Sequence, residues 1–115
     1  MLNKKNRLTK NRHFQFIYRK GEKVYSKNMY LVYAPTKIKP CKVGIVVSNK
    51  VGKAVKRNKI KRRLRVIIGE MIGNINQNYN YILVAKPEII ETDFLGLKKE
   101  VNYLFKKGNL IEQNI

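Results

Sequence analysis

The chain has 115 residues, 43% of them hydrophobic, with a single histidine and a single cysteine. That supports one packed core but not two, and it leaves too few parts for an internal disulfide, a zinc site or a Ser-His or Cys-His nucleophile system. The formal net charge is +19, and it is unevenly placed: residues 1–69 carry 21 basic side chains against one acid, Glu22, whereas residues 70–115 carry five basic and six acidic. A polyanion-binding surface confined to the larger, N-terminal part explains that asymmetry better than general solubility does.

Residues 1–8 read as a polar, basic arm. Thr9 or Asn11 can cap a short helix running to about Arg19, with Phe14, Ile17 and Tyr18 on one side and Gly21 closing it. Lys23–Tyr25 is a short strand, and Met29–Ala34, rich in Tyr, Leu and Val, is a stronger one. Pro35 and Pro40 bracket a basic loop. Lys42–Ser48 is nearly continuously apolar, as expected of a central strand covered on both sides. Val43, Ile45 and Val47 give one of its faces bulk, while Gly44 and Ser48 leave room on the other.

A turn at Asn49–Gly52 leads into a helix from about Ala54 to Ile72, ended by Gly73. Asn74–Asn80 is a polar loop, Tyr81–Ala85 a buried strand stopped before Pro87, and about Asp93–Lys107 a last helix with Phe94, Leu97, Val101, Leu104 and Phe105 inward. The expected class is α+β: a single domain over 1–115, with helices packed on one sheet layer. No apolar run approaches the roughly 18 residues of a membrane span, and the basic N-terminus lacks the apolar stretch of a secretory signal. Cys41 reads as a small apolar filler, which suits a reducing cytoplasm. Acids are sparse and fall at no metal-binding or acid/base spacing, so self-contained catalysis by the protein is not expected.

The densest chemistry lies in the long helix and its entrance. Nine of the sixteen residues from Lys50 to Arg65 are Lys or Arg, and none is acidic. Ile60, Leu64, Ile67, Ile68 and Met71 recur at helical spacing, so one face is buried and the rest is held as a rigid cationic surface. Arg57, Lys61 and Arg65 form one i, i+4, i+8 row; Asn58 and Arg62 form a second, farther from the apolar stripe; Lys59 and Arg63 take the opposite flank. Such rows suit backbone phosphates, with Arg as a bidentate fork, Lys as a point charge and Asn as donor and acceptor. A solvated helix would show intervening acids for i, i+4 pairs, and this one has none.

The same residues carry a family resemblance. Val43-Gly44, Ser48-Asn49-Lys50-Val51-Gly52, Ala54-Val55 and Arg57-Asn58-Lys59-Ile60-Lys61-Arg62, followed by Arg65, resemble the signature of the protein component of bacterial ribonuclease P. The likeness extends to Arg7-Leu8, the Phe14-to-Tyr18 helix ending in Gly21, the Tyr30–Tyr33 strand and the segment 82–87, about residues 7–107 in all.

The resemblance implies a ribonucleoprotein in which a large RNA, with Mg²⁺, hydrolyses the phosphodiester at the 5′ end of mature tRNA, while the protein itself binds no cofactor. It implies two partners, the catalytic RNA and the single-stranded 5′ leader of precursor tRNA, and neither a membrane nor a protein partner. It also implies a left-handed β-α-β crossover, against the usual preference, in a fold shared with a small-subunit ribosomal protein and with elongation factor G.

Carried onto this sequence, the catalytic-RNA contacts are Lys50, Lys53, Arg57, Asn58, Lys61, Arg62 and Arg65. The leader contacts are Phe14, Tyr18 and Tyr33, lining a cleft between the first helix and the open sheet face, with Ser48 and Asn49. Read without the resemblance, Phe14 and Tyr18 at i, i+4 suit the core better than a cleft. Two positions depart from the family pattern. Asn49-Lys50 stands where consecutive lysines are common, and Val46 stands where a small polar residue is frequent, which makes the cleft floor more apolar.

Overall fold

The computed structural model describes residues 1–111. Alternation of large apolar residues draws four strands into one mixed sheet: β1 (Glu22–Tyr25), β2 (Met29–Pro35), β3 (Val43–Val47) and β4 (Tyr79–Ala85). Their spatial order is β1-β2-β4-β3, with β1/β2 and β2/β4 antiparallel and β3/β4 parallel. The parallel pair is joined through helix α2 (Ala54–Met71), as a parallel connection requires. Helices α1 (Asn11–Lys20) and α3 (Phe94–Lys107) precede and follow the sheet in sequence. With helices packed on a single sheet, the chain has the α+β class that the sequence indicates.

Period-2 alternation sorts the sheet residues onto two unequal faces. Met29, Leu31, Val43, Val47, Tyr81, Leu83 and Ala85 meet the inward stripes of α2 and α3 in the larger apolar cluster. Val32, Ala34 and Ile82 form a smaller cluster with Ile17 of α1 and Leu8. Two helices close the first face. One helix of ten residues cannot close the second, and Tyr30, Val46 and Val84 remain only partly buried there.

Four sequence expectations change. First, β3 is an edge strand and not a central one. Its continuous apolar run reflects helices over both faces, and its outer edge is covered by the N-terminal segment, where Arg7 bridges Val43 in parallel and the Leu8 N–H donates to the Val43 carbonyl at 3.0 Å. Second, the basic arm is docked: Leu2 and Leu8 are buried, and the buried Asn6 side chain donates to the Cys41 carbonyl at 2.9 Å. Third, neither Thr9 nor Asn11 caps α1. Lys10 occupies the N-cap position, and no side chain satisfies the first turn. Fourth, β4 begins at Tyr79, because Tyr79 and Asn80 continue the ladder opposite Pro35 and Ala34.

α3 is capped by a side chain, the Asp93 Oδ1 accepting from the Gly96 N–H at 2.8 Å. Its Glu100 carboxylate gathers the β1–β2 turn. It accepts from the Ser26 hydroxyl, from the Asn28 N–H at 2.7 Å and from the Asn28 side-chain amide at 2.8 Å.

Candidate nucleic-acid interface

α2 is built to hold cations still. Ile60, Leu64, Ile67, Ile68 and Met71 are each at most 7% exposed and lock its inner side into the core. Rotation by 100° per residue then sets Arg57, Lys61 and Arg65 half-buried along one flank, while Asn58 and Arg62 stand exposed. Lys50 and Lys53 are exposed at the entrance. Among the described residues, no cation from Lys53 to Arg65 forms an ion pair; Lys98 and Glu70, at 3.6 Å, pair farther along. The first turn of α2 also carries no acid, so the positive end of the helix dipole adds to the side-chain field.

The entrance turn is fixed by backbone geometry. Gly52 has φ 153°, where a side chain would be strained, and its carbonyl accepts from Arg57 Nη1 at 2.7 Å. Val51 is buried beneath it. Arg57 therefore has a structural task in addition to its charge: it ties the turn bearing Ser48, Asn49, Lys50 and Lys53 to the helix.

The second candidate surface is the uncovered part of the α1 face. Phe14 reaches it only because residue 44 is glycine, since a Cβ there would lie 2.5 Å from the Phe14 ring. Beside it are Tyr18, 38% exposed, and the partly buried Tyr30, Val46 and Val84. Burial, followed by the neighbouring Tyr30, raises the Tyr18 phenol above its ordinary pKa, so the hydroxyl stays neutral. Lys23 Nζ lies 5.8 Å from the Tyr30 ring centroid, and the Tyr25 ring is 5.5 Å away. Ser48 and Asn49, both exposed, follow directly from the end of β3.

Tyr33 does not belong to this surface. It pairs across the sheet with Tyr81 and packs with the larger cluster on the opposite face, its ring edge-on to Tyr79 at 5.5 Å. The strand period decides the matter: Tyr30 shares the face of Val32 and Ala34, and Tyr33 does not. Burial and the adjacent Glu22 raise the Tyr33 phenol. Tyr30 is the aromatic that sequence reasoning missed, and its parity with Val32 was the available signal.

Among the described residues, no three His, Cys, Asp or Glu side chains are grouped so as to hold a metal ion, and no helix is long and apolar enough to cross a membrane. Cys41 is buried, which raises its thiol pKa and keeps it unreactive.

A protein-family model described as Ribonuclease P matches residues 2–109. The ribonuclease P protein component of Syntrophomonas wolfei is 31% identical over 114 residues, covering 99% of this chain and 96% of that protein. That of Fusobacterium nucleatum is 36% identical over 110 residues, covering 92% and 99%. The solved structure of Staphylococcus aureus RNase P protein superposes with a TM-score of 0.87 at 30% identity, covering 93% of this chain and 98% of that one. For the Thermotoga maritima RNase P protein the TM-score is 0.80 at 26% identity, with the same coverage. The chain belongs to the bacterial ribonuclease P protein family, and is a protein subunit of a ribonucleoprotein endonuclease of tRNA 5′ processing.

Proposed function

We propose, from that membership, that the chain binds the catalytic RNA through α2 and its entrance and holds the single-stranded leader of precursor tRNA against the uncovered sheet face. The observation that carries this reading is the set of cations on α2, none of them ion-paired among the described residues from Lys53 to Arg65 and all held by a buried stripe. Lys50, Lys53, Arg57, Asn58, Lys61, Arg62 and Arg65 would meet phosphates of the RNA subunit, the arginines by two-pronged donation. Phe14, Tyr18 and Tyr30 would stack on leader bases, with Ser48 and Asn49 as polar contacts at the end of the cleft. Stacking reads no sequence, which suits a subunit serving many precursors.

In this reading the bond-breaking centre lies in the RNA. Mg²⁺ held by RNA would supply the chemistry at the scissile phosphate, and the protein's residues bind and orient the two RNAs. The expected compartment is the cytoplasm, where Cys41 stays a thiol.

Reconstitution tests the reading. Purified protein added to the cognate RNA and precursor tRNA at physiological Mg²⁺ should enhance cleavage at the 5′ end of the mature sequence. Binding of the RNA without enhancement would leave a purely structural RNA-binding role. Cleavage by protein and Mg²⁺ alone would put the chemistry in the chain.

A further inference from the structure

α1 has a second flank. Beyond it, at the other end of the sheet from Ser48, lies a pocket of about 190 Å³ lined by Phe16, Ile17, Ala34, Pro35 and Ile38, with His13, Thr36, Lys42 and Asn80 as its polar groups. An apolar cavity of about 150 Å³ is enough to hold a benzene ring, so this space has room for a flat heterocycle. Two large apolar side chains stand open at its walls, Phe16 at 45% and Ile38 at 73% exposure.

Lys42 is the one cation among the lining residues, and the segments that carry the lining, 13–17 and 34–42, add Lys37 and Lys39 and hold no acid. Among the described residues none of these lysines forms an ion pair. Lys39 Nζ donates to the Gln77 carbonyl and the Asn78 side chain, both at 2.7 Å, and Lys42 Nζ to the Lys5 carbonyl at 3.3 Å, all uncharged partners.

We propose that this pocket takes one unpaired nucleobase of the RNA subunit, stacked on Phe16, with its flanking phosphates on Lys37, Lys39 and Lys42. The inference rests on the RNA-binding reading above and adds a site to it. An apolar slot with lysines along the loop that walls it matches the two halves of a nucleotide, a π-face and a phosphate. Protein-binding surfaces, by contrast, are depleted in lysine at their centres. The occupant belongs to the RNA subunit and not to the leader, because α1, sealed to Val32, Ala34 and Ile82 by Ile17, stands between this pocket and the leader cleft.

The chain has no tryptophan, so Phe16→Trp places a single indole reporter at the pocket. Titration of this variant with the RNA subunit should quench its emission, and later addition of precursor tRNA should add nothing. In parallel, Phe16→Ala with Ile38→Ala should weaken binding of the RNA subunit about tenfold or more at an unchanged melting temperature. If the double variant melts lower, Phe16→Tyr, which keeps the ring, should retain affinity where Phe16→Ala does not. Quenching that appears only with precursor tRNA would overturn the assignment in favour of the leader. Absent quenching with unchanged affinity would overturn it and leave a protein ligand for the pocket. Arg62→Ala is measured alongside: if it weakens binding and the pocket variants do not, this inference alone fails, and if neither does, the RNA-binding reading fails with it.

Discussion

The two faces of the sheet follow opposite policies. On the α2/α3 face Met29, Leu31, Tyr81 and Leu83 of the central strands are buried, and the helix that closes it turns its charges outward. On the α1 face a single short helix leaves Tyr18, Tyr30, Val46 and Val84 wholly or partly open. The closed face supplies the stability that the open one forgoes, since burial contributes roughly 25 cal/mol per Å² of apolar surface. Charge that would repel itself on a flexible tail is tolerated on α2 because the core holds that helix in place. The division predicts that outward-facing groups can be removed at the expense of binding, and inward-facing groups at the expense of folding.

The largest test is Lys61→Ala with Arg62→Ala and Arg65→Ala. None of the three lies on the buried stripe, so the melting temperature should hold. Affinity for the RNA subunit should fall on the order of 10²-fold, and the salt slope should shrink by about one for each phosphate left without its cation. For the intact protein, five to seven neutralised phosphates imply a drop in affinity of roughly 10²–10⁴ between 50 and 200 mM salt. Unchanged affinity in the triple variant would remove α2 from the interface.

Glu100 probes the closed side. Its carboxylate accepts three hydrogen bonds from Ser26 and Asn28, and hydrogen bonds to a charged group are worth about 1.5–3 kcal/mol each. The three bonds are only part-buried and water replaces much of what they supply, so Glu100→Ala should lower stability by about 3 kcal/mol, read as a shift in the denaturant midpoint. Cleavage of bound precursor should stay within a few-fold in the folded fraction. A thousandfold loss in a folded Glu100 variant would mean that a protein acid takes part in the chemistry.

Tyr30 and Tyr33, three residues apart on one strand, make the sharpest comparison. Tyr30→Ala should weaken precursor tRNA binding by roughly 1–3 kcal/mol as its stack is removed, with little change for mature tRNA, which has no leader. Tyr33→Ala should lower the melting temperature and leave the preference for precursor over mature tRNA intact. The reverse pattern would mean that the leader lies on the other face.

This pair also marks how far the sequence could be read. The strands, the long basic helix, its apolar stripe and the space at Gly44 follow from periodicity and residue size, and these are local properties. Which aromatic shares a face with α1 depends on register, and the run Tyr30–Tyr33 offers a tyrosine of each parity. The apolar run of β3 reports covered faces and says nothing of edges, so its place at the rim was not legible. Leu2 and Leu8 are isolated among polar residues, and only their partners in the folded chain reveal that the basic segment is docked. The pocket beside Phe16 needs the loop before β3 folded against α1, a tertiary arrangement with no sequence signature.

The smallest expected effect concerns the start of α1. Lys10 holds the N-cap position there without a side-chain hydrogen bond, although Thr9 and Asn11, both good capping residues, flank it. A lysine cannot accept from the free N–H groups of the first turn, and its charge opposes the positive end of the helix dipole. Lys10→Asn supplies an acceptor and removes the repulsion, so it should raise stability by about 1 kcal/mol, seen as a melting temperature several degrees higher. Lys10 also stands three residues before His13, which lines the pocket beside Phe16. The same variant should then bind the RNA subunit slightly less well at low salt, with the difference fading as salt rises. A stabilised protein with undiminished affinity at low salt would show that Lys10 contributes nothing to RNA binding, leaving its place at the cap without a functional reason.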